Sequence, residues 1–422
     1  MLDIKFIREN SKKVKEACKK KQVVVDIDQL IKIDEKRRKE LKQLEDIRAE
    51  KNKTTKLIPN IKDKQGKDKL ISEMKEIDKR GDELEESLKE LDKEFQNLMY
   101  QIPNCCFEDV PVGENEKQNV IIREESKKTK FPFKPKDYLE IAEKLDLIDI
   151  KRASKVSGSR FGYFKREATL IEFALINLAF DVLVKQGFVP VIPPVLIKPE
   201  AMKGMGYIDT EKDKAERYFL EKDNLYLVGT SEQSIGPMHK DEILNEKELP
   251  KRYVAFSTCF REEAGSYGKD TKGILRVHQF DKVEMFSFAK PEDSKKEHQF
   301  LLSLEEKLIQ MLEIPYRVVQ ICSGDLSGPS AATYDIETWF PGQNKYRETH
   351  SASNCTDFQS RRLKIRYRRD KDKKIGFVHT LNGTAFAIGR TFIAIIENYQ
   401  QKDGSIKVPK ALQEYLGFKI IK

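Results

Sequence analysis

A seam of apolar residues runs through an otherwise charged segment, and it constrains the fold more than any other feature of the chain. Leu70, Met74, Ile77, Leu84, Leu88, Leu91, Phe95 and Leu98 follow steps of 4, 3, 7, 4, 3, 4 and 3, with Gly81 at the skipped position. This heptad repeat over about four heptads suits a helix pressed against another helix. Ile27, Leu30, Leu41 and Leu44 carry a weaker version upstream. Between the two stretches, residues 57–69 include the turn formers Pro59, Asn60 and Gly66. Two long helices joined by a short turn must run antiparallel. The sequence therefore predicts a helical hairpin over about 27–101, with legs of about 30 residues projecting roughly 45 Å.

Charge marks this segment as a solvated arm. Residues 1–100 hold 27 Lys/Arg and 23 Asp/Glu, so half of them are charged. The legs differ in sign: residues 36–69 carry 13 basic and 6 acidic side chains, residues 70–100 carry 5 and 10. Two readings stand side by side. The legs could neutralise each other through ion pairs. Alternatively, the basic leg, with Lys36, Arg37, Arg38, Lys39, Lys42, Arg48, Lys51, Lys53 and Lys56, could meet a phosphate backbone. Charge alone does not decide between them.

Across all 422 residues, 79 Lys/Arg against 70 Asp/Glu leave a net charge of +9. This permits a polyanionic partner without requiring one. Cys18, Cys105, Cys106, Cys259, Cys322 and Cys355 form no C-x-x-C pair, so no zinc is predicted. Scattered thiols suit a cytoplasmic protein. The opening MLDIKFIREN has no apolar signal core. The most apolar stretch, residues 170–184, is interrupted by Glu172, Asn177 and Asp181. A membrane span needs about 20 apolar residues, so membrane and secreted classes are set aside.

The hairpin and its approach make an N-terminal domain, residues 1–104, and a polar connector occupies 105–137. The remainder, 138–422, reads as one α+β body. Helical patterns at 138–145 and 170–185 precede strand-like runs at 189–192, 225–228, 253–260, 283–288, 316–321, 333–339 and 364–367. Few crossover helices separate them, which favours an antiparallel sheet flanked by helices. There is no G-x-G-x-x-G and no P-loop motif.

Three segments carry chemistry, at about 170–194, 253–288 and 378–400. The first ends in Gly187-Phe-Val-Pro-Val-Ile-Pro-Pro194, whose prolines demand an edge or end strand. The second holds Phe260, Arg261, Glu262 and Glu263, a loop at 264–273, and then Arg276, Phe280 and Glu284 spaced by four. That spacing puts the last three on one face of an extended strand. A cation, a ring and a carboxylate together suit a charged, planar ligand better than a core. The third, TLNGTAFAIGR, reads as strand, Gly-rich turn and helix, with Arg390 near a helix start that favours anions.

In this order the segments resemble motifs 1, 2 and 3 of class II aminoacyl-tRNA synthetases. Thr230-Ser231-Glu232, the FREE segment with RVHQFDKVE, YDIETWFPGQNKYRETHSASNCTDFQSRR and LNGTAFAIGRT are similar to seryl-tRNA synthetases of the bacterial type. The hairpin is that family's arm. The resemblance implies ATP-driven activation of L-serine and its transfer to tRNA(Ser), with tRNA(Sec) a further candidate acceptor. It implies a homodimer, Mg²⁺, and tRNA contacts through the arm and the motif 2 loop.

By the same resemblance, Arg261, Arg276 and Arg390 are the catalytic cations. Thr230, Ser231, Glu232, Arg261, Glu284, Asn382 and Thr384 bind serine. Arg261, Glu262, Glu263, Arg276, Val277, Phe280, Glu348, Thr349, His350, Ser351 and Arg390 bind ATP, and Glu348 and Ser351 hold the metal. Lys36, Arg37, Arg38, Lys42, Arg48, Lys51, Lys53 and Lys56 would contact tRNA. The chain departs from the family at His350 and Ala352, where Ser and Cys are usual. It departs again at Gly229 and Gln233, where Pro and an apolar residue are common. Two other readings compete: a synthetase-like enzyme that loads a carrier protein, and a non-enzymatic RNA-binding or coiled-coil scaffold. The long hairpin argues against the first and the intact charged set against the second.

Overall fold

Asp26 and Asp63 start the two long helices. The Asp26 carboxylate accepts from the Gln29 amide at the head of α1, Ile27–Leu57. Asp63 accepts from the Gln65 and Gly66 amides at the head of α2, Lys64–Gln101. Each cap satisfies amides that a helix start leaves open. Gly66, expected in the turn, therefore lies inside the first turn of α2. The structure is a computed structural model that describes residues 1–58, 63–125, 127–264 and 272–422. Pro59 and Asn60 lie outside the described residues, as does most of the 264–273 loop. The chain divides into two compact units: Leu2–Lys19 with Val23–Pro103, and Met1 with Lys20–Gln22 and Asn104–Lys422.

In the hairpin unit, Leu88, Leu91, Phe95 and Met99 are buried along α2, facing a leg that buries Ile27, Leu30, Ile33, Leu44 and Ile47. Met99 takes the place expected of Leu98, because a 3.6-residue helix drifts from a strict seven-residue repeat. Leu70, Met74, Ile77 and Leu84 are only half-buried, and Leu41 is exposed. Two helices alone cover only one side of each seam. Near the base, Ile4–Glu9 and Ser11–Lys20 add Ile7 and Val14 to the buried set. The buried Asp34 carboxylate there meets Arg38 at 3.0 Å and Arg8 at 3.4 Å.

Ion pairs join the legs. Arg37 meets Asp92, Arg48 meets Glu85 at 2.7 Å and Lys51 meets Asp78 at 2.5 Å. The partners descend one leg as they climb the other, as antiparallel helices require. Exposed pairs of this kind, screened by solvent, contribute little to stability.

The second unit is built on an eight-stranded sheet. Its strands are β1 (Val120–Glu125), β2 (Val189–Val191), β3 (Lys251–Phe260), β4 (Gln279–Ala289), β5 (Tyr316–Gln320), β6 (Ala332–Phe340), β7 (Lys345–Asn354) and β8 (His379–Ala387). Their spatial order is β1-β5-β6-β7-β8-β4-β3-β2. Every neighbouring pair is antiparallel except β2 with β3. Helices α3 (Glu167–Val184), α4 (Ser294–Met311) and α5 (Ile388–Asn398) cover one face. There Ile171, Leu175, Leu178, Val283, Met285, Leu301, Leu308, Phe386 and Phe392 form the main core.

Three expectations change. Residues 105–137 contribute β1, an edge strand of the catalytic sheet paired with β5, and are not merely a connector. TLNGTAFA is continuous strand leading straight into α5, with no Gly-rich turn. Gly383 sits mid-strand because a Cβ there would meet Glu305 Oε1 at 3.1 Å and Met285 Cε at 3.2 Å. Arg276 precedes β4 instead of lying within it. Among the described residues, no helix is long and apolar enough to cross a membrane.

Candidate active site

The free face of the sheet is polar at one end and apolar at the other. Along β4, Phe280, Lys282 and Glu284 face a cavity of about 250 Å³. Phe286 and Phe288, next on the same alternation, enter a second apolar cluster with Met205, Ile235 and Leu363. The strand thus anchors one end of its face and presents chemistry at the other. β8 adds Asn382 and Thr384, β7 adds Glu348, Thr349, Ser351 and Ser353, and α5 adds Arg390.

A bulge explains why adjacent residues of β7 both reach the cavity. Ile336 pairs with His350 and Glu337 with Glu348, leaving Thr349 as the extra residue. Beyond it, Ser351 and Ser353 face the cavity, whereas His350 and Ala352 turn to the buried side. A second bulge in the β4–β8 pairing falls between Val283 and Glu284.

The cations are already placed. The Arg261 guanidinium lies 5.1 Å from the Phe280 ring centroid, and its Nε donates to the Gly229 carbonyl at 3.2 Å. Arg276 Nη1 donates to Glu263 Oε2 at 2.7 Å. Glu263 has φ of 52°, a left-handed backbone that non-glycine residues adopt mostly at constrained sites. Arg390 Nη1 donates to the Glu348 carbonyl at 3.0 Å and lies 3.1 Å from Glu348 Oε2. At the opposite end, Lys282 pairs with Glu284, and the Tyr207 hydroxyl donates to Glu232.

The carboxylates fall into two sets. Burial pushes Glu232 up to about 7, helped by the Glu284 charge and opposed by Tyr207, Lys282 and Arg261. Burial raises Glu284 too, with Lys282 as the main opposing charge. Burial also acts on Glu263 and Glu348, but neighbouring guanidiniums outweigh it and hold both below the usual range: chiefly Arg276 for Glu263 and Arg390 for Glu348. The Glu348 and Glu263 end is thus a firmly charged, arginine-rich half, and the Glu232 and Glu284 end a dehydrated acidic half.

Of the predicted site residues, Thr230, Glu232, Arg261, Glu263, Arg276, Val277, Phe280, Glu284, Glu348, Thr349, Ser351, Asn382, Thr384 and Arg390 line this one cavity. Ser231, Glu262 and His350 do not. Ser231 is fully buried behind Thr230. Glu262 donates its amide to the Glu216 carbonyl at 3.2 Å, and its carboxylate meets Tyr218. His350 packs against Phe386, its Nδ1 lies 2.8 Å from Thr349 Oγ1, and burial lowers it to about 4. It is turned away from the cavity, and burial disfavours its charged form.

Sequence reasoning missed Tyr207, Lys282, Ser327, Pro329, Ser353 and Cys355, which also line the cavity. Lys282 and Ser353 share the strand parity of Glu284 and Ser351, so alternation could have found them. Tyr207, Ser327 and Pro329 come from distant segments and carry no local signal. The departures at 229 and 233 compensate each other: the Gly229 amide donates to Gln233 Oε1 at 2.8 Å. A proline at 229 has no N–H to offer.

With this geometry in hand, comparison defines the class first. Residues 218–399 match the tRNA synthetase class II core domain (G, H, P, S and T), and residues 1–106 match the seryl-tRNA synthetase N-terminal domain. A serine--tRNA ligase of Dictyoglomus turgidum is 45% identical over 425 residues, covering 100% of this chain and 99% of that one. One from Pyrococcus abyssi is 44% identical over 445 residues, with coverages of 100% and 97%. The crystal structure of seryl-tRNA synthetase from Pyrococcus horikoshii complexed with ATP matches with a TM-score of 0.92 at 42% identity, over 100% of this chain and 99% of that one. The chain belongs to the seryl-tRNA synthetase family. Since relatives from Pyrococcus match alongside Dictyoglomus, the bacterial type is not separated from the archaeal one.

Proposed function

We propose that the chain is a serine–tRNA ligase that activates L-serine with ATP in this cavity and passes it to tRNA(Ser). The observation that carries the reading is the convergence of Arg261, Arg276 and Arg390 with Phe280 at one end, and of Glu232, Glu284 and Thr384 at the other. One half suits a polyphosphate and a flat base, the other a small amine with a hydroxyl.

The serine carboxylate, already ionised, attacks the α-phosphorus in line. A bond forms from carboxylate oxygen to phosphorus, the bond from phosphorus to the bridging oxygen breaks, and pyrophosphate leaves with the electron pair. No general base is required, so the protein's work is alignment and charge neutralisation. Arg261 bridges the α-phosphate and the serine carboxylate, Phe280 stacks on adenine, and Arg276 and Arg390 take the β- and γ-phosphates. Arg276 must leave Glu263 to do so, which frees that carboxylate to accept from the adenine amino group. A terminal ribose hydroxyl of tRNA then attacks the adenylate carbonyl, releasing AMP.

Glu348 and Ser351 offer one carboxylate and one hydroxyl, hard oxygen donors that suit Mg²⁺ sharing its shell with phosphates and water. When bound, Mg²⁺ would neutralise charge on the leaving pyrophosphate. The six scattered cysteines, with no C-x-x-C pair, suit a cytoplasmic enzyme. The test is serine-dependent ATP–pyrophosphate exchange, followed by charging of total tRNA. Exchange with a different amino acid, or none, would sink the reading.

The active form is a homodimer. α3 exposes Leu170 by 50% and Phe173 by 59%, and the β2 segment exposes Val189 by 52% and Ile192 by 82%. Adjacent apolar side chains this bare mark a protein interface. Light scattering at micromolar concentration should give about twice the 49.1 kDa chain mass, and Phe173→Glu should shift it toward one chain. A monomeric unaltered protein would overturn this.

A further inference from the structure

Lys282 is a buried cation in the middle of the acidic half. It is 8% exposed, lines the cavity between Phe280 and Glu284, and its ammonium pairs with Glu284. We propose that Lys282 is a positioning residue for the amino acid: it keeps Glu284 ionised and in one orientation, so that the carboxylate can hold serine. This rests on the serine-activating reading above and deepens it.

The charge balance supports the assignment. Two carboxylates, Glu232 and Glu284, face one ammonium, Lys282, and with Glu232 pushed up to about 7 this end carries a partial negative charge, which complements the α-ammonium of an amino acid. Without Lys282, Glu284 would be a buried carboxylate among groups that oppose its charge. Glu232 approaches from the short helix Glu232–Ile235 and Glu305 from α4, both acidic. Cys259 from β3 interacts with it weakly. Arg261 and the Thr384 hydroxyl on β8 favour the ionised form, but Lys282 is the largest opposing influence to burial. Removing one partner of a buried pair leaves the other uncompensated, and neutralisation by proton uptake relieves it.

The sign follows. Burial raises Glu284, and loss of Lys282 raises it further, so in Lys282→Met the carboxyl ionises only as pH rises through a higher value. Serine-dependent pyrophosphate exchange by the full-length Lys282→Met protein should show a serine KM raised about tenfold or more near pH 7, with the ATP KM little changed. That serine KM should fall more steeply as pH rises from about 6 to about 9 than it does in the unaltered enzyme, where Glu232, pushed up to about 7, titrates in the same window. Lys282→Arg, which keeps the charge and serves as the folded control, should restore most of the serine affinity. In Lys282→Met with Glu284→Gln the added pH dependence should vanish, leaving only the titration of Glu232 that every variant shares.

A serine KM for Lys282→Met within about twofold of the unaltered protein, or equal rises in serine and ATP KM with no pH dependence beyond that of the unaltered protein, overturns the proposal while leaving the ligase reading intact. Absence of serine-dependent exchange in the unaltered protein overturns both.

Discussion

Arg261→Ala should reduce serine-dependent pyrophosphate exchange by about 10²–10³-fold, the usual loss when one oriented donor to a developing charge is removed. Arg261 is held on two sides before any substrate arrives, by the Phe280 ring and by the Gly229 carbonyl at 3.2 Å. It therefore acts without reorganising at the moment of reaction. The side chain carries no ladder hydrogen bond, so the variant should stay folded, with a thermal unfolding midpoint near that of the unaltered protein. Because Arg261 touches both substrates in the proposed step, kcat should fall more than either KM rises. Exchange within about tenfold of normal would remove Arg261 from the centre of the reaction.

Replacing residues 36–95 by a short Gly/Ser linker should leave serine-dependent exchange largely intact and raise the KM for tRNA(Ser) strongly. None of the cavity residues lies in this segment. At 1.5 Å per residue, α2 with its 38 residues spans roughly 57 Å, long enough to offer RNA an extended surface. The ion pairs refine which lysines to test. Arg37, Arg48 and Lys51 are partnered across the hairpin, so their replacement perturbs the arm as well as any RNA contact. Lys42 and Lys53 are exposed on the basic leg. Changing them to alanine should weaken tRNA binding and flatten its salt dependence by about one unit of slope per lost phosphate contact. A trimmed enzyme that charges tRNA(Ser) as efficiently as the full chain would reduce the arm to a structural appendage.

The arm shows how two readings of one charge pattern can both hold weight. Opposite net charges on the legs predicted cross-hairpin pairing, and among the described residues Arg37, Arg48 and Lys51 pair across the hairpin. Yet Lys42 and Lys53 stay exposed on the basic leg, leaving the phosphate-binding reading open to experiment. His350 illustrates the reverse. Its neighbours Glu348, Thr349 and Ser351 all face the cavity, and a residue flanked by site residues invites the same role. A single bulged residue shifts the alternation and sends it to the core.

The sequence by itself determined the elements whose physics is local. A heptad seam specifies paired helices because only one helical face can be buried. The strand parity of Phe280 and Glu284 was legible for the same reason, since alternation is a property of every extended chain. What only the tertiary structure decided was set by partners far away in sequence. β1 became a strand because β5 offered an unpaired edge, and the polar run of β7 became one because β6 and β8 flank it. Lys282 acquired its place between two buried carboxylates, and Tyr207 its bond to Glu232, from contacts that no local window contains. Register, bulges and desolvation are set by what packs against a segment, so the side chains that depend on them cannot be read from the segment alone.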